Sequence, residues 1–190
     1  MNIHAHKKGI RALGISESFV KHVSKYSVLA GVVIRADLIV DGFSFAKTTV
    51  GGMDATDSVL RLYKGLVRKD INVLLLNGCV ISWYNVIDLN RVSEELDLPL
   101  ICVTYEESSG IESYFKEYFP NDWQDRVKIY YENGSREPLV LHTGHKIFVR
   151  SFKINKKDTE NILNKFTLNG AIPEPLRIAR LLARALIRSI

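Results

Sequence analysis

Four consecutive apolar residues, Val73-Leu-Leu-Leu76, stop abruptly at Asn77-Gly78. An apolar run that short, bounded by turn residues, fits a strand buried on both faces, at the centre of a sheet covered by helices. An irregular stretch carrying Trp83 and Tyr84 follows. A helical pattern then runs from about Val86 to Leu96, with Val86, Ile87, Leu89, Val92 and Leu96 as its apolar positions. Asn77 is thereby placed at the carboxyl end of a central strand, the edge at which open α/β sheets bind ligands.

The flanking segments say what kind of sheet surrounds this strand. Arg11–Ile15 reads as a first strand, ending at Ser16-Glu17-Ser18. Ser27–Ala36 is a second, and Phe43–Val50 a third, joined by a hairpin turn at Asp41-Gly42. Gly51-Gly52 breaks the chain. A helix from Asp54 to about Lys69 follows, capped by Asp54 or Thr56. Pro99–Tyr105 is a further buried strand, and Ile111–Phe119 a short helix rich in aromatics. Val127–Tyr131, Pro138–Leu141 and Lys146–Phe152 read as short strands, Lys156–Leu168 as a helix, and Leu176–Ile190 as a last helix introduced by Pro173-Glu-Pro175. Three antiparallel strands followed by strands joined through helices predict an α/β fold of ribonuclease H-like type, a mixed sheet flanked by helices. A doubly wound, all-parallel sheet is the second choice. The Asp41-Gly42 turn argues against it, because parallel neighbours need a long crossover.

At 190 residues the chain is expected to form one domain, 1–190, with ample core. The net charge of +5 permits DNA or RNA as a partner without requiring it. Cys79 and Cys102 are the only cysteines, and both sit in apolar runs. They read as buried thiols of a reducing cytoplasm rather than as metal ligands. No apolar segment near the start approaches a membrane span and no signal peptide pattern appears, so no membrane association is expected. Met1–Lys8 is polar and reads as a loose arm.

A ribonuclease H-like nuclease needs carboxylates at the carboxyl edge of its first and central strands. They hold two divalent ions about 3.5–4 Å apart, which clamp the attacking and leaving oxygens of a phosphodiester. Ser16-Glu17, Asp54 and Asn77 are the places to look. Glu17 neighbours Ser16, but on a strand it points to the opposite face, so it could take over that position only if the strand had already ended.

Gly14-Ile-Ser-Glu17, Val50-Gly-Gly-Met-Asp-Ala-Thr56, Leu76-Asn-Gly78 with Tyr84-Asn-Val-Ile-Asp88, and Ile172-Pro-Glu-Pro-Leu-Arg-Ile-Ala179 resemble the signature blocks of a mostly archaeal family of unknown function, domain of unknown function ninety-nine, itself similar to endonuclease V. The resemblance spans nearly the whole chain and implies a ribonuclease H-like fold. It also implies aspartates where this chain has Ser16 and Asn77, and an acid at Asp54. One of three acidic positions therefore remains. The implied magnesium or manganese would be held weakly, by Asp54, since a hard dication prefers several anionic or carbonyl oxygens. Asn85 falls within the same blocks and joins Ser16 and Asn77 as a candidate binding residue.

Other residues carry two readings each. Asp54 serves equally as helix cap or ligand, and Asn77 as turn residue or site residue. Trp83 and Tyr84 pack, or stack bases. Arg177, Arg180, Arg184 and Arg188 share one face of the last helix, as a solvated basic face or as a phosphate-binding stripe. His142 and His145 read as exposed loop residues, and Glu106 and Glu107 as solvated acids at the same edge as Asn77. Three functions remain open: a degenerate endonuclease V-like protein that binds nucleic acid, an active metal-dependent nuclease recruiting Glu17 or Glu106, and an interaction module for other ligands.

Overall fold

The computed structural model describes residues 9–107 and 110–189. The polar start, Met1–Lys8, lies outside the described residues. Three strands open the chain, β1 (Arg11–Ser18), β2 (Tyr26–Arg35) and β3 (Val40–Thr49), paired antiparallel in sequence order. Helix α1 (Ala55–Gly65) leads to β4 (Val73–Asn77), which pairs parallel with β1. A small ribbon of β5 (Val80–Ile81) and β6 (Asn85–Val86) precedes α2 (Leu89–Leu96). Strand β7 (Leu100–Thr104) pairs parallel with β4. Then come α3 (Ile111–Tyr118), α4 (Trp123–Glu132), the hairpin β8 (Glu137–Val140) and β9 (Lys146–Phe152), α5 (Lys156–Phe166) and α6 (Glu174–Ser189).

Among the described residues the main sheet has the order β3-β2-β1-β4-β7-β9-β8. This is the mixed, ribonuclease H-like arrangement expected from the element order, with Val73–Leu76 at its centre. Helices cover both faces. Val73 and Leu75 join Ala12, Val32 and Ile101 in a core closed by α5 and α6 through Ile162, Phe166, Leu176 and Ala179. Leu74 and Leu76 join Leu13, Ile15 and Leu29 in a second core closed by α1 and α2 through Val59, Leu62, Leu89 and Val92. Leu74, Leu75 and Leu76 are all essentially inaccessible, each worth about 1.5–3 kcal/mol of burial. No helix among the described residues is long and apolar enough to cross a membrane.

Four local expectations are corrected. Strand β1 continues through Glu17 to Ser18, where Ser18 still pairs with Val28. The β2–β3 turn lies at residues 36–39, with Leu38 at φ 65°, and Gly42 sits inside β3 opposite Val33. Asp41 is not a turn residue because Arg11 and Arg68 both bind its carboxylate. Val127–Tyr131 is helical, inside α4, since Arg126 pairs with Asp122 one turn earlier. Helix α2 begins at Leu89, capped by the Asp88 carboxylate on the Arg91 amide at 2.9 Å, while Val86 belongs to β6.

The seating of α6 depends on one glycine. A Cβ at Gly14 would lie 2.4 Å from the Pro175 carbonyl carbon, whereas one at Gly9 would meet nothing within 4 Å. Backbone cannot yield as a side-chain tip does. Gly14→Ala is therefore expected to destabilise the fold by about 1–3 kcal/mol, and Gly9→Ala to leave it near wild type, as read by urea unfolding.

Candidate functional site

Side-chain alternation on β1 divides the carboxyl edge into two halves. Ser16 follows Ala12 and Gly14 onto the α6 side, where its hydroxyl donates to the Leu176 carbonyl at 3.0 Å. Ile15 pairs with Leu76, so Ser16 and Asn77 emerge side by side, and Asn77 shares the face of Val73 and Leu75. Glu17 follows Leu13 and Ile15 onto the α1 side. Its Oε2 accepts from the Ser27 hydroxyl at 2.6 Å and more distantly from the Ser82 hydroxyl at 3.5 Å. Burial raises its carboxyl above the ordinary range, and the two serines offset this only in part. Because β1 has not ended at Ser16, Glu17 does not take over the position of Ser16. Ser16, Glu17 and Asn77 line one recess of about 10 Å³ between the strand ends, room for about one water. Asp54 does not line it.

Asp54 stands at the N-cap of α1 but makes no side-chain cap bond. Its Oδ1 accepts from the Thr48 hydroxyl at 2.8 Å, the Thr49 amide at 3.0 Å and the Asn85 amide at 2.8 Å. Its Oδ2 accepts from the Thr49 hydroxyl at 3.0 Å and the same backbone amide at 3.1 Å. Burial opposes the charge, but the bonds from Thr48, Asn85 and Thr49 outweigh it and hold the carboxyl below its ordinary value. The cap comes instead from Asn85, which is fully buried. Its Oδ1 accepts from the Ala55 amide at 3.0 Å while its Nδ2 reaches Asp54 and the Thr49 carbonyl. Asn85 thus shapes the site from beneath, through Asp54 and the start of α1.

Ser82, Trp83 and Tyr84 all have positive φ, at 47°, 61° and 64°. Each such residue costs on the order of 1–3 kcal/mol and persists only where its surroundings enforce it. Arg126 is the enforcing group. It is buried and donates to the carbonyls of Gly51 at 2.9 Å, Gly52 at 3.0 Å and Tyr84 at 2.8 Å, while pairing with Asp122. The turn presents its two aromatics to α3. Tyr84 stacks on Tyr118 at 5.7 Å and on Tyr114 at 6.0 Å, and Trp83 lies 5.3 Å from Tyr118. Tyr114 and Tyr118 are nearly half exposed, and the Lys21 ammonium sits 4.3 Å over the Trp83 ring. Sequence reasoning missed Tyr114, Tyr118 and Arg126. The four-residue spacing of the two tyrosines on a helix was the available signal for the first two.

The remaining candidates are scattered. Arg177 is held by Glu174 at 2.6 Å. Arg180 is half-buried, and Arg184 and Arg188 are exposed along α6. Glu107 pairs with Lys146. His142 and His145 are exposed, as expected for loop histidines. Cys79 and Cys102 are buried and free. Among the described residues no three His, Cys, Asp or Glu side chains are grouped so as to hold a metal ion.

A family model described as endonuclease dU matches residues 8–187. The chain belongs to the endonuclease dU family. A UPF0215 protein of Pyrobaculum calidifontis is 36% identical over 172 residues, covering 90% of this chain and 93% of that one. Among solved structures, a protein of unknown function from Archaeoglobus fulgidus superposes with a TM-score of 0.80 at 25% identity, over 94% of this chain and 98% of that one. Endonuclease V of Ciona intestinalis, solved with a 24mer DNA containing an inosine, superposes with a TM-score of 0.63 at 14% identity, over 96% and 87% of the two chains. The resemblance to archaeal proteins and to endonuclease V, drawn from the four sequence blocks, is borne out, and this endonuclease dU family member shares the fold of endonuclease V.

The two carboxylates predict opposite pH behaviour. Glu17 titrates above its ordinary value in the folded state, so the folded state holds the extra proton and stability falls as pH rises through that window. Glu17→Gln is expected to raise Tm at neutral pH, with the gain vanishing in acid. Asp54 titrates below its ordinary value, so its contribution is present above that value and lost as pH falls through the lowered one. Asp54→Asn is expected to cost about 2–3 kcal/mol at neutral pH, with the gap closing in acid. Thermal melts across the acid range check both.

Proposed function

We propose that this protein binds nucleic acid with an unpaired stretch, acting as one endonuclease V-like domain over 1–190 and holding divalent metal weakly or not at all. The observation that carries the reading is the aromatic platform of Trp83, Tyr84, Tyr114 and Tyr118 beside the carboxyl edge, maintained against backbone strain by Arg126. Base–aromatic stacking is worth about 1–3 kcal/mol per base and tolerates sequence. Lys21 over Trp83 and the net charge of +5 suit a phosphate backbone. The endonuclease V of Ciona intestinalis was solved with DNA containing an inosine, and its shared fold lends support.

Magnesium or manganese fits the residues poorly. The Asp54 carboxylate is already occupied by five hydrogen bonds. Ser16 spends its hydroxyl on Leu176, Asn77 offers a neutral amide, and Glu17 faces the other side of β1. A two-ion clamp needs several anionic oxygens on a common side. These side chains do not supply them.

Fluorescence anisotropy with a single-stranded oligonucleotide tests binding. Affinity should fall as salt rises, and Trp83→Ala should weaken it roughly tenfold, the loss of about one stacked base. Salt-independent binding, or none, favours an interaction module for another ligand. Calorimetry tests the metal site: manganese is expected to bind weakly to the wild type and markedly more tightly to Ser16→Asp with Asn77→Asp. Tight manganese binding by the wild type, lost together with measured strand cleavage in Asp54→Ala, would establish the active metal-dependent endonuclease instead.

A further inference from the structure

Two polar atoms near the carboxyl edge, Tyr105 Oη and Arg180 Nε, are buried and have no hydrogen-bond partner among the described residues. Groups in that state cost stability, and each calls for an explanation. Their position supplies one. Asn77 pairs with Val103 in the β4–β7 register, so alternation places Asn77, Val103 and Tyr105 on one face. Tyr105 packs against the core formed with Leu176 and Ala179 of α6. Arg180 is within electrostatic reach of it: burial raises the Tyr105 hydroxyl above its ordinary range, and the Arg180 charge works in the opposite direction.

Asn77, Tyr105, Glu106 and Arg136 line an open recess of about 300 Å³ at this point. Arg136 Nη1 donates to the Glu106 carbonyl at 3.0 Å, which fixes the guanidinium at the rim. The side chains that line it are an amide, a hydroxyl and the Arg136 guanidinium, with the Arg180 charge acting on Tyr105, against the single carboxylate of Glu106. Such a set suits a phosphate, which takes several donors and pairs with guanidinium forks. A carboxylate ligand would leave part of the set unused.

We propose that this recess, on the α6 side of the edge, binds a backbone phosphate of the nucleic-acid strand, with Tyr105 Oη and Arg180 Nε as donors that have no partner among the described residues. The proposal rests on the nucleic-acid reading and adds the place where a phosphate sits. It predicts an uncommon combination of effects. Tyr105→Phe removes only the unpaired hydroxyl, so Tm should stay or rise, yet oligonucleotide affinity should fall roughly tenfold, the worth of a hydrogen bond to a charged group. Arg180→Met should lower the slope of log affinity against log salt by about 0.7, one single-strand phosphate contact. Arg180→Lys should restore most of that slope with only part of the affinity.

The experiment is anisotropy with a single-stranded oligonucleotide over a salt series, with thermal melts of each variant in parallel. Wild-type affinity and salt slope in Tyr105→Phe and Arg180→Met overturn the proposal. If the wild-type protein binds no oligonucleotide, the nucleic-acid reading fails, and the recess is then judged with inorganic phosphate. A phosphate-dependent rise in Tm that is present in wild type and absent in both variants supports an anion site there. No such rise overturns it.

Discussion

The parallel pairing of β1 with β4 is the constraint on which the site depends. Both strands are buried on both faces, so their side chains have no freedom to exchange sides without moving a hydrophobic core. Whatever reaches the carboxyl edge is already assigned to α1 or to α6. Ser16 goes to α6 and is fixed by Leu176. Glu17, one residue later, goes to α1 and is fixed by Ser27. A one-residue difference in sequence therefore becomes a difference of sheet face, and an acid at 17 is not an acid at 16.

The α1 side owes its shape to partnerships between distant segments. Asp54 alone would be a conventional cap. With Thr48, Thr49 and Asn85 around it, its carboxylate is satisfied by β3 and β6, and α1 is capped from outside by Asn85. The left-handed run Ser82–Tyr84 carries a cost of several kcal/mol on the scale of about 1–3 per residue. The buried Arg126 offsets it with hydrogen bonds of the stronger, charged kind, about 1.5–3 kcal/mol each, linking Gly51, Gly52 and Tyr84 to α4. One of these bonds holds the run itself at the Tyr84 carbonyl, and the Gly51 amide, on the segment that Arg126 also holds, donates to the Ser82 carbonyl at 2.7 Å.

These distances in sequence separate what was legible from what was not. The central strand, the antiparallel opening and the last helix follow from apolar runs and period, which are local. The edge position of Asn77 follows from the same run. Val127–Tyr131 reads as a strand because its β-branched and aromatic residues suit one, yet it is helical. Arg126 beside it pairs within the helix and is buried by carbonyls from residues more than forty positions away. The Asp41-Gly42 pair reads as a turn until Arg11 and Arg68 take the carboxylate. Asn85 gives no local sign that it caps a helix starting thirty residues earlier. Position along the chain could identify the edge of the site. It could not say which face each residue joins or what holds it there.

In the proposed reading, the division of the edge also separates strand binding from metal chemistry in physical terms. The platform stands on Arg126, Asn85 and the turn at Ser82–Tyr84, and none of these contacts involves a charge at position 16 or 77. The recess by Tyr105 and Arg180 is likewise built without one. Stacking holds bases with little regard to sequence, while phosphate contacts fix the register of the strand. In the proposed reading a strand crosses the edge between these two supports and passes over Ser16 and Asn77. Replacing an acid there removes charge that a metal clamp needs, and at the same time removes charge that would repel a phosphate when no metal is bound. In that reading a serine at 16 and an amide at 77 suit metal-free binding of a strand, whereas acids at both positions would suit a metal clamp.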